Sequence, residues 1–179
     1  SRAPLYVVVE KILEPGEDLP EQWQVDGTVG YDFMNLVNGI FIDSRNRKAF
    51  TAFYHSFIGG PIDVDTLIYD SKKLIMNSAL SSEVNVLGHM LDEISLTDRR
   101  ARDFTRKTLR DAIIETIACF PVYRTYIDER GSISDRDREY IQQAIARAKR
   151  RNGSTPAPVF DFLQEILLLR GGDGGAPVY

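Results

Sequence analysis

Residues 80–94, LSSEVNVLGHMLDEI, carry the strongest periodic pattern in this chain of 179 residues. Five apolar residues recur at spacings of four, three, four and three, and they are Leu80, Val84, Leu87, Leu91 and Ile94. This spacing predicts the apolar stripe of a helix that packs lengthwise on another helix. Asp63 or Asp65 can cap the start of this helix, and we predict that it runs to about Ile94 as one piece.

The segment that follows supplies the partner helix. Its apolar face is predicted to comprise Leu109, Ile113, Thr116, Ile117 and Phe120. Pro121 then interrupts the helix, because proline lacks the backbone N–H that a helix interior needs. The two segments together predict a long antiparallel helical hairpin.

Three further helices are predicted from capping residues and periodicity. The first runs from about Arg45 to Ile58 after an N-cap at Asp43-Ser44, and Gly59 ends it. The second runs from about 135 to 151 after Ser134, with Asp137 at capping-box spacing, and buries Ile141, Ala144, Ile145 and Ala148. The last follows 156–158 and contributes Phe160, Leu163, Ile166 and Leu167 to the core.

The strand signals are fewer. Residues 4–9, PLYVVV, form a continuous apolar and β-branched run, which predicts a strand buried on both faces in a parallel sheet. Tyr31–Ile42 is predicted to be a buried helix or strand, and Val122–Ile127 is either a short strand or an extended exit from a helix. The fold class is therefore mainly α with a minor β component, and one strand resembles those of α/β proteins.

Composition excludes several classes of protein. The chain has 22 Lys and Arg against 26 Asp and Glu, a net charge of −4, so no strong attraction to nucleic acid is expected. No apolar run approaches the length of about 20 residues that spans a bilayer, so no membrane partner is expected. The lone Cys119 cannot form an internal disulfide, and no signal peptide precedes the first strand, which favours a cytoplasmic location.

Two segments near the start of the chain are candidates for chemistry. Glu10 directly follows the predicted strand, and catalytic side chains project from the carboxyl ends of parallel strands. A solvated or ion-paired Glu explains the same position. Residues 27–33, GTVGYDF, place an aromatic ring and a carboxylate beside two glycines, a mixture able to bind a sugar, although an ordinary tight turn has the same composition. Residues 27–33 lack the glycine pattern of a phosphate-binding loop.

The remaining polar residues favour structural roles. His55 and His89 have no partner at metal-ligand spacing, so no metal site is predicted. Cys119 lies in an apolar stretch typical of an inert buried thiol. The basic run Arg147, Lys149, Arg150 and Arg151 is typical of a solvated helix C-terminus, where the helix dipole favours cations. Arg124 can bind a polar ligand or form a structural ion pair.

Several motifs resemble a known family. These are residues 9–13 (VEKIL), 16–20 (GEDLP), 27–33 (GTVGYDF), 102–105 (RDFT), 109–112 (LRDA) and 120–126 (FPVYRTY). In this order and approximate spacing they resemble the maltooligosyltrehalose synthases, members of the α-amylase superfamily (glycoside hydrolase family 13). Val29 departs from the family's usual pattern, in which a second threonine is expected.

The resemblance implies an enzyme of trehalose biosynthesis. Such a (1→4)-α-D-glucan 1-α-D-glucosylmutase is an isomerase that converts the reducing-end α-1,4 linkage of a maltooligosaccharide into an α,α-1,1 linkage. It does so by retaining intramolecular transglucosylation, in which a sugar replaces water as the acceptor. Glu10 is then the general acid/base at the end of the fifth barrel strand, and Tyr31, Asp32 and Arg124 are substrate-binding residues. No cofactor and no metal are implied.

The resemblance also implies that the chain is an excerpt of a (β/α)8 barrel enzyme. The nucleophilic carboxylate and the Asp that stabilises the transition state are expected outside these 179 residues, so the isolated chain is expected to be inactive. Residues 1–42 are predicted to be barrel strand five and the following loop, residues 43–170 a helical insertion, and residues 171–179 a flexible tail. The partners are then an α-1,4-glucan and the rest of the parent enzyme. The alternatives are a helical interaction or scaffold module and another hydrolase of the superfamily.

Overall fold

The computed structural model describes residues 5–128 and 131–170. Over these residues the fold is mainly helical with two short parallel strands, which confirms the predicted fold class. The chain divides between Ile62 and Asp63 into two compact units, which we call the strand unit and the helical unit in chain order. The predicted division after residue 42 concerns the origin of the segments and stays a prediction. The predicted tail at 171–179 lies outside the described residues.

A short parallel ladder opens the strand unit. Strand β1 (Val8–Val9) pairs with β2 (Gly27–Thr28). The ladder gains one bond at each end, where Asp26 N–H donates to the Val7 carbonyl at 2.7 Å and Val29 N–H to the Val9 carbonyl at 3.1 Å. The pairing is thus parallel, as the continuous apolar run indicates.

The predicted burial of this strand on both faces is wrong. Leu5 and Tyr6 are 87% and 79% exposed, and Val8 is also exposed. A single two-residue partner strand covers one edge of β1 and leaves its faces open. A continuous apolar run is typical of a strand that is covered on both faces. The pattern does not show whether the residues that would cover those faces are present.

Two helices complete the strand unit. Helix α1 (Tyr31–Gly39) follows Gly30, whose φ of 98° lies in the left-handed region that glycine adopts without strain. A helical turn at Ser44–Asn46 leads into α2 (Arg47–Ile58), and Asp43 caps this turn by accepting the Arg45 N–H at 3.0 Å. The predicted α2 and its cap are confirmed.

The predicted burial of Tyr31–Ile42 is wrong, since this segment is helical but largely exposed. Phe33, Leu36 and Phe41 are all more than two-thirds exposed. Periodicity specifies a helix because it is a local property, whereas burial needs a packing partner, and no residue of α1 is buried.

Five helices form the described part of the helical unit, with α5 at its centre and the other four packed around it. They are α3 (Val64–Asn77), α4 (Ser81–Thr97), α5 (Arg106–Ala118), α6 (Asp135–Arg151) and α7 (Ala157–Leu167). The largest fully buried side chains come from α4 to α7 and are Ser95, Leu109, Ile141, Ile145, Val159 and Phe160. The core therefore lies where α6 and α7 pack against α5, with Leu91 of α4 in the same cluster.

The predicted single helix from 63 to 94 is wrong, because the chain breaks between Asn77 and Ser81. Asn77 Nδ2 donates to the Lys73 carbonyl at 2.9 Å, and Ser78 Oγ donates to the Leu74 carbonyl at 2.7 Å. Such side chains compete with the backbone N–H groups that would continue the helix. The predicted cap at the start is confirmed at Asp63, which accepts the Asp65 N–H at 3.2 Å.

The predicted hairpin is formed by α4 and α5. Arg106 Nη2 lies 3.0 Å from Asp92 Oδ2, and Arg110 Nε donates to Asn85 Oδ1 at 2.8 Å, so the two helices run antiparallel. The packed stripe of α4 differs from the prediction, since its buried residues are Val84, Gly88, Leu91 and Ser95. Leu80 and Leu87 are instead exposed.

Two small residues explain this rotation of the α4 stripe. A Cβ atom on Gly88 would lie 3.3 Å from the Cβ of Arg110, so Gly88 allows α5 to approach closely. Ser95 is fully buried and donates its hydroxyl to the Asp92 carbonyl of its own helix at 2.7 Å. An apolar pattern alone cannot reveal contacts made by glycine and serine.

The predictions for the last two helices are confirmed. Ser134 Oγ accepts the Asp137 N–H at 3.0 Å, and α6 begins and ends where the capping residues indicate. Helix α7 buries Phe160 and Leu163, while Ile166 and Leu167 are half-buried against the core. Residues 122–127 contain no strand, so the strand alternative for this segment is wrong.

A buried polar cluster joins α3 to α5. The Glu115 carboxylate is 5% exposed and accepts hydrogen bonds from Lys73 Nζ and the Tyr69 hydroxyl. Lys73 also donates to the Tyr69 hydroxyl at 3.2 Å, and the Arg151 guanidinium lies 4.5 Å from the centre of the Tyr69 ring. We call Tyr69, Lys73 and Glu115 the α3–α5 polar cluster.

Candidate functional site

Glu10 lies at the carboxyl end of the two-stranded ladder. It directly follows β1, and its side chain is exposed. Chain continuing from β2 passes through Val29 and Gly30 into α1, so the start of α1 lies at the same end of the ladder. This is the edge at which parallel strands present side chains to ligands.

Tyr31 is hydrogen-bonded to Glu10. Its hydroxyl donates to Glu10 Oε1 at 3.1 Å, across 21 residues of sequence. This bond, and then the negative charge of the carboxylate, raise the pKa of Tyr31, so the phenol stays protonated and remains a donor. The structure thus brings together two of the four predicted site residues.

Asp32 follows Tyr31 in the first turn of α1. Its Oδ2 atom lies 3.4 Å from Thr28 Oγ1, which is a long hydrogen bond. A carboxylate in this position also interacts favourably with the positive end of the helix dipole. Asp32 is therefore the sequence neighbour of Tyr31, and its side chain is exposed to solvent.

A buried ion pair closes the loop after Glu10. Lys11 Nζ lies 2.8 Å from Glu17 Oε2, and the two side chains are 8% and 5% exposed. Lys11 also donates to the Ile12 carbonyl at 3.0 Å, and Glu17 Oε2 accepts the Glu14 N–H at 3.0 Å. We call Lys11 and Glu17 the loop clamp.

The loop clamp did not emerge from the sequence analysis. The usable signal was a pair of opposite charges on either side of Pro15-Gly16. A Pro-Gly turn brings flanking side chains near each other, so a charge on each side can pair across it. Surface residues of this kind are common, and nothing in the spacing marks these two as buried.

Arg124 lies in the helical unit. Its Nε atom donates to the Thr125 carbonyl at 2.9 Å, and its guanidinium lies 5.0 Å from the centre of the Tyr126 ring. These contacts are local and leave the side chain exposed. The role of Arg124 in substrate binding stays a prediction.

The cysteine and the histidine of α4 lie in surroundings that favour structural roles over catalytic or metal-binding ones. Cys119 is 3% exposed, and its burial, followed by the nearby Glu115 charge, raises the pKa of the thiol and disfavours the thiolate. His89 Nε2 lies 3.5 Å from Glu93 Oε1 on the surface of α4. Within residues 5–128 and 131–170, no three His, Cys, Asp or Glu side chains are grouped so that they can hold a metal ion.

The basic end of α6 also makes intramolecular contacts. Lys149 pairs with Asp161 of α7, and Arg151 stacks on Tyr69 of α3. Two of the cations predicted to be solvated at this helix end therefore contact other helices of the same unit. Cations at a helix C-terminus are also favoured by the helix dipole. No helix in the described part of the chain has the length and apolar composition needed to cross a membrane.

Comparison with known proteins gives a consistent but partial likeness. The chain is 30% identical over 82 residues to proteins from two strains of Mycobacterium tuberculosis, provisionally named maltooligosyl trehalose synthase. The match covers 46% of this chain and 11% of those proteins. No protein-family model matches the chain.

A solved structure extends the likeness over most of the chain. The DSM5389 glycosyltrehalose synthase superposes with a TM-score of 0.58 and 30% sequence identity, over 91% of this chain and 19% of that protein. The chain thus spans less than a fifth of the length of the synthases it matches. It is similar to trehalose synthases in sequence over part of its length and in fold over most of it.

Proposed function

We propose that this chain supplies the general acid/base of an intramolecular transglucosylase that forms trehalose-capped glucans. The observation that supports this most directly is Glu10 itself. It lies at the carboxyl end of a parallel strand, within the segment whose motifs resemble the synthases, and its carboxylate is exposed. The likeness to a maltooligosyl trehalose synthase and to a glycosyltrehalose synthase supports the same reaction.

The proposed reaction has two proton transfers at Glu10. As an acid, Glu10 protonates the glycosidic oxygen while a carboxylate nucleophile attacks the anomeric carbon, which releases the reducing-end glucose and leaves a covalent glycosyl-enzyme. As a carboxylate, Glu10 then accepts the proton of the anomeric hydroxyl of that glucose. The glucose oxygen attacks the intermediate, and the α,α-1,1 linkage forms as the bond to the enzyme breaks.

The chemistry requires a second carboxylate about 5–5.5 Å from Glu10. We propose that residues outside this chain provide it, together with the Asp that stabilises the transition state, because the matched synthases are far longer than this chain. The 179-residue chain alone is then inactive. Its partners are the remainder of the enzyme, of the (β/α)8 type in glycoside hydrolase family 13, and an α-1,4-glucan.

The half-buried Tyr31 and the exposed Asp32 fit a sugar substrate. Tyr31 provides a ring face for stacking, and Asp32 provides oxygens that accept hydrogen bonds from sugar hydroxyls. Arg124 is also proposed as a substrate-binding residue, because it lies within a motif that resembles the synthases. No cofactor is needed for a reaction made of proton transfers and carboxylate attack, and we propose that it takes place in the cytoplasm.

The proposal is tested on the full gene product that contains this chain. Incubation with maltopentaose should remove reducing ends with little release of free glucose, and Glu10→Gln should abolish this conversion. The matched control is Glu21→Gln, an equally conservative change at another exposed carboxylate in the strand unit. Release of glucose as the main product would instead indicate a hydrolase of the same superfamily.

A second candidate function rests on the exposed apolar side chains of α1 and α2. Phe33, Leu36, Phe53 and Phe57 are each at least 70% exposed, as expected for a helical interaction or scaffold module. That function assigns no role to the Glu10 carboxylate. Unchanged glucan conversion in Glu10→Gln, alongside an active parent protein, would therefore favour it over the acid/base proposal.

A further inference from the structure

The loop clamp lies immediately beside the proposed acid/base. Glu10 is exposed, whereas its neighbour Lys11 is buried. Lys11 is anchored at 2.8 Å to Glu17, which is itself tied to the Glu14 N–H. The Lys11 ammonium group is held by Glu17 and by the Ile12 carbonyl, and this restrains the chain next to Glu10.

Tyr31 contacts the carboxyl group of Glu10 directly. Its hydroxyl donates to Oε1 at 3.1 Å, which leaves Oε2 to exchange the proton. The same bond is possible in both protonation states, because Oε1 is an acceptor in the carboxylate and in the acid protonated on Oε2. The contact is therefore compatible with a catalytic cycle in which Glu10 loses and regains a proton.

We propose that Lys11, Glu17 and Tyr31 are positioning residues that fix the Glu10 carboxyl group for its two proton transfers. This inference rests on the proposed function of Glu10. The loop clamp fixes the backbone on which Glu10 is mounted, and Tyr31 fixes the rotation of the carboxyl group. The Tyr31 hydroxyl thus acts on the acid/base, while its ring face stays available for stacking on the sugar.

The consequence is an effect on chemistry rather than on binding. Misplacing a reacting group by about 1 Å costs about a hundredfold in rate. Tyr31→Phe and Lys11→Met in the full gene product should therefore lower kcat on maltopentaose by about 10- to 100-fold while KM changes by less than about twofold. Lys11→Arg keeps the charge and a donor, so it should retain most of the activity.

A second substrate separates positioning from general structural damage. α-Maltotriosyl fluoride needs no acid, because fluoride leaves without protonation, and azide attacks the glycosyl-enzyme without a base. With this pair of reagents, Tyr31→Phe and Lys11→Met should keep their rates within about threefold of the parent enzyme, because the step that Glu10 assists is bypassed.

Several outcomes would overturn the inference. A raised KM with unchanged kcat for Tyr31→Phe would make Tyr31 a substrate contact only. Equal losses on both substrates for Lys11→Met, with Lys11→Arg no better, would make the clamp purely structural. If Glu10→Gln abolishes activity while these variants have none of the expected effects, only the positioning claim fails. If Glu10→Gln is active, the proposed function itself fails.

Discussion

Replacing Lys73 by Met should destabilise the chain more than replacing its partner Glu115 by Gln. The two side chains form an ion pair within the α3–α5 polar cluster, but their surroundings differ. The Glu115 side chain is 5% exposed, whereas that of Lys73 is 33% exposed. Water can therefore replace a lost partner at Lys73, and it cannot do so at Glu115.

The exposed fractions of the two side chains determine how much stability each substitution should cost. Lys73→Met leaves a buried carboxylate with only the Tyr69 hydroxyl, and removing one partner of a buried pair costs about 3–5 kcal/mol, so we expect about 3 kcal/mol. Glu115→Gln removes the buried charge and keeps an amide oxygen as acceptor, so we expect about 1 kcal/mol. The double variant should cost less than the sum of the two, because it leaves no unpaired charge.

Urea unfolding of the 179-residue chain, followed by far-ultraviolet circular dichroism, measures these differences. Lys107→Met is the matched control, because Lys107 is 83% exposed and pairs with Asp111 of its own helix, so its loss should cost no more than about 0.5 kcal/mol. A Lys73→Met cost equal to that of this control, or a larger cost for Glu115→Gln, would refute the reasoning from burial.

Two further predictions concern the helical unit. Burial, followed by its bond to Glu115, raises the pKa of Tyr69. For Lys73, burial is the largest single effect and lowers the pKa, but the bonds to Glu115 and Tyr69 together outweigh it, so the pKa is raised. Both raised pKa values stabilise the fold below about pH 10, so the free energy of unfolding should fall as the pH rises above that value. The fall should be smaller in a Tyr69→Phe, Lys73→Met double variant. Gly88→Val places atoms where Arg110 already lies and should cost about 1–3 kcal/mol by urea unfolding, whereas Ser82→Val on the exposed face of α4 should cost less than about 0.5 kcal/mol. An unchanged midpoint for Gly88→Val would show that α4 and α5 are not closely packed at this point.

Local signals predicted the helices well. Asp43, Asp63 and Ser134 each cap the helix or turn expected from the sequence, because capping depends on a side chain and on backbone groups two or three residues away. The amphipathic face of α6 was also predictable, since Ile141 and Ile145 recur at helical spacing. These features need no knowledge of distant residues.

Features that depend on neighbours were not predictable in the same way. The α4 stripe turns toward Gly88 and Ser95 because α5 approaches closely there, and a pattern of apolar residues assigns no weight to either. The break after Asn77 depends on side-chain bonds that compete weakly with a helix. The exposure of Phe33 shows that apolar composition does not guarantee burial.

In the candidate site, the residues were predictable from local sequence, but their contacts were not. Glu10 was identifiable because it directly follows an apolar strand, and Tyr31 because of its motif. Their contact spans 21 residues and depends on the parallel ladder, which joins two segments separated by a loop rich in proline and glycine. The loop clamp likewise depends on a turn geometry that composition does not specify.

The central claim is that Glu10 is the acid/base of a retaining reaction, and Glu10→Ala in the full gene product tests it most directly. This variant should lose conversion of maltopentaose by at least about a hundredfold, in line with the contribution of general acid–base catalysis. With α-maltotriosyl fluoride, added azide should restore turnover and give the α-configured glycosyl azide, because azide attacks the covalent intermediate without needing a base. Full activity of Glu10→Ala on maltopentaose, or a β-configured azide product, would contradict the assignment.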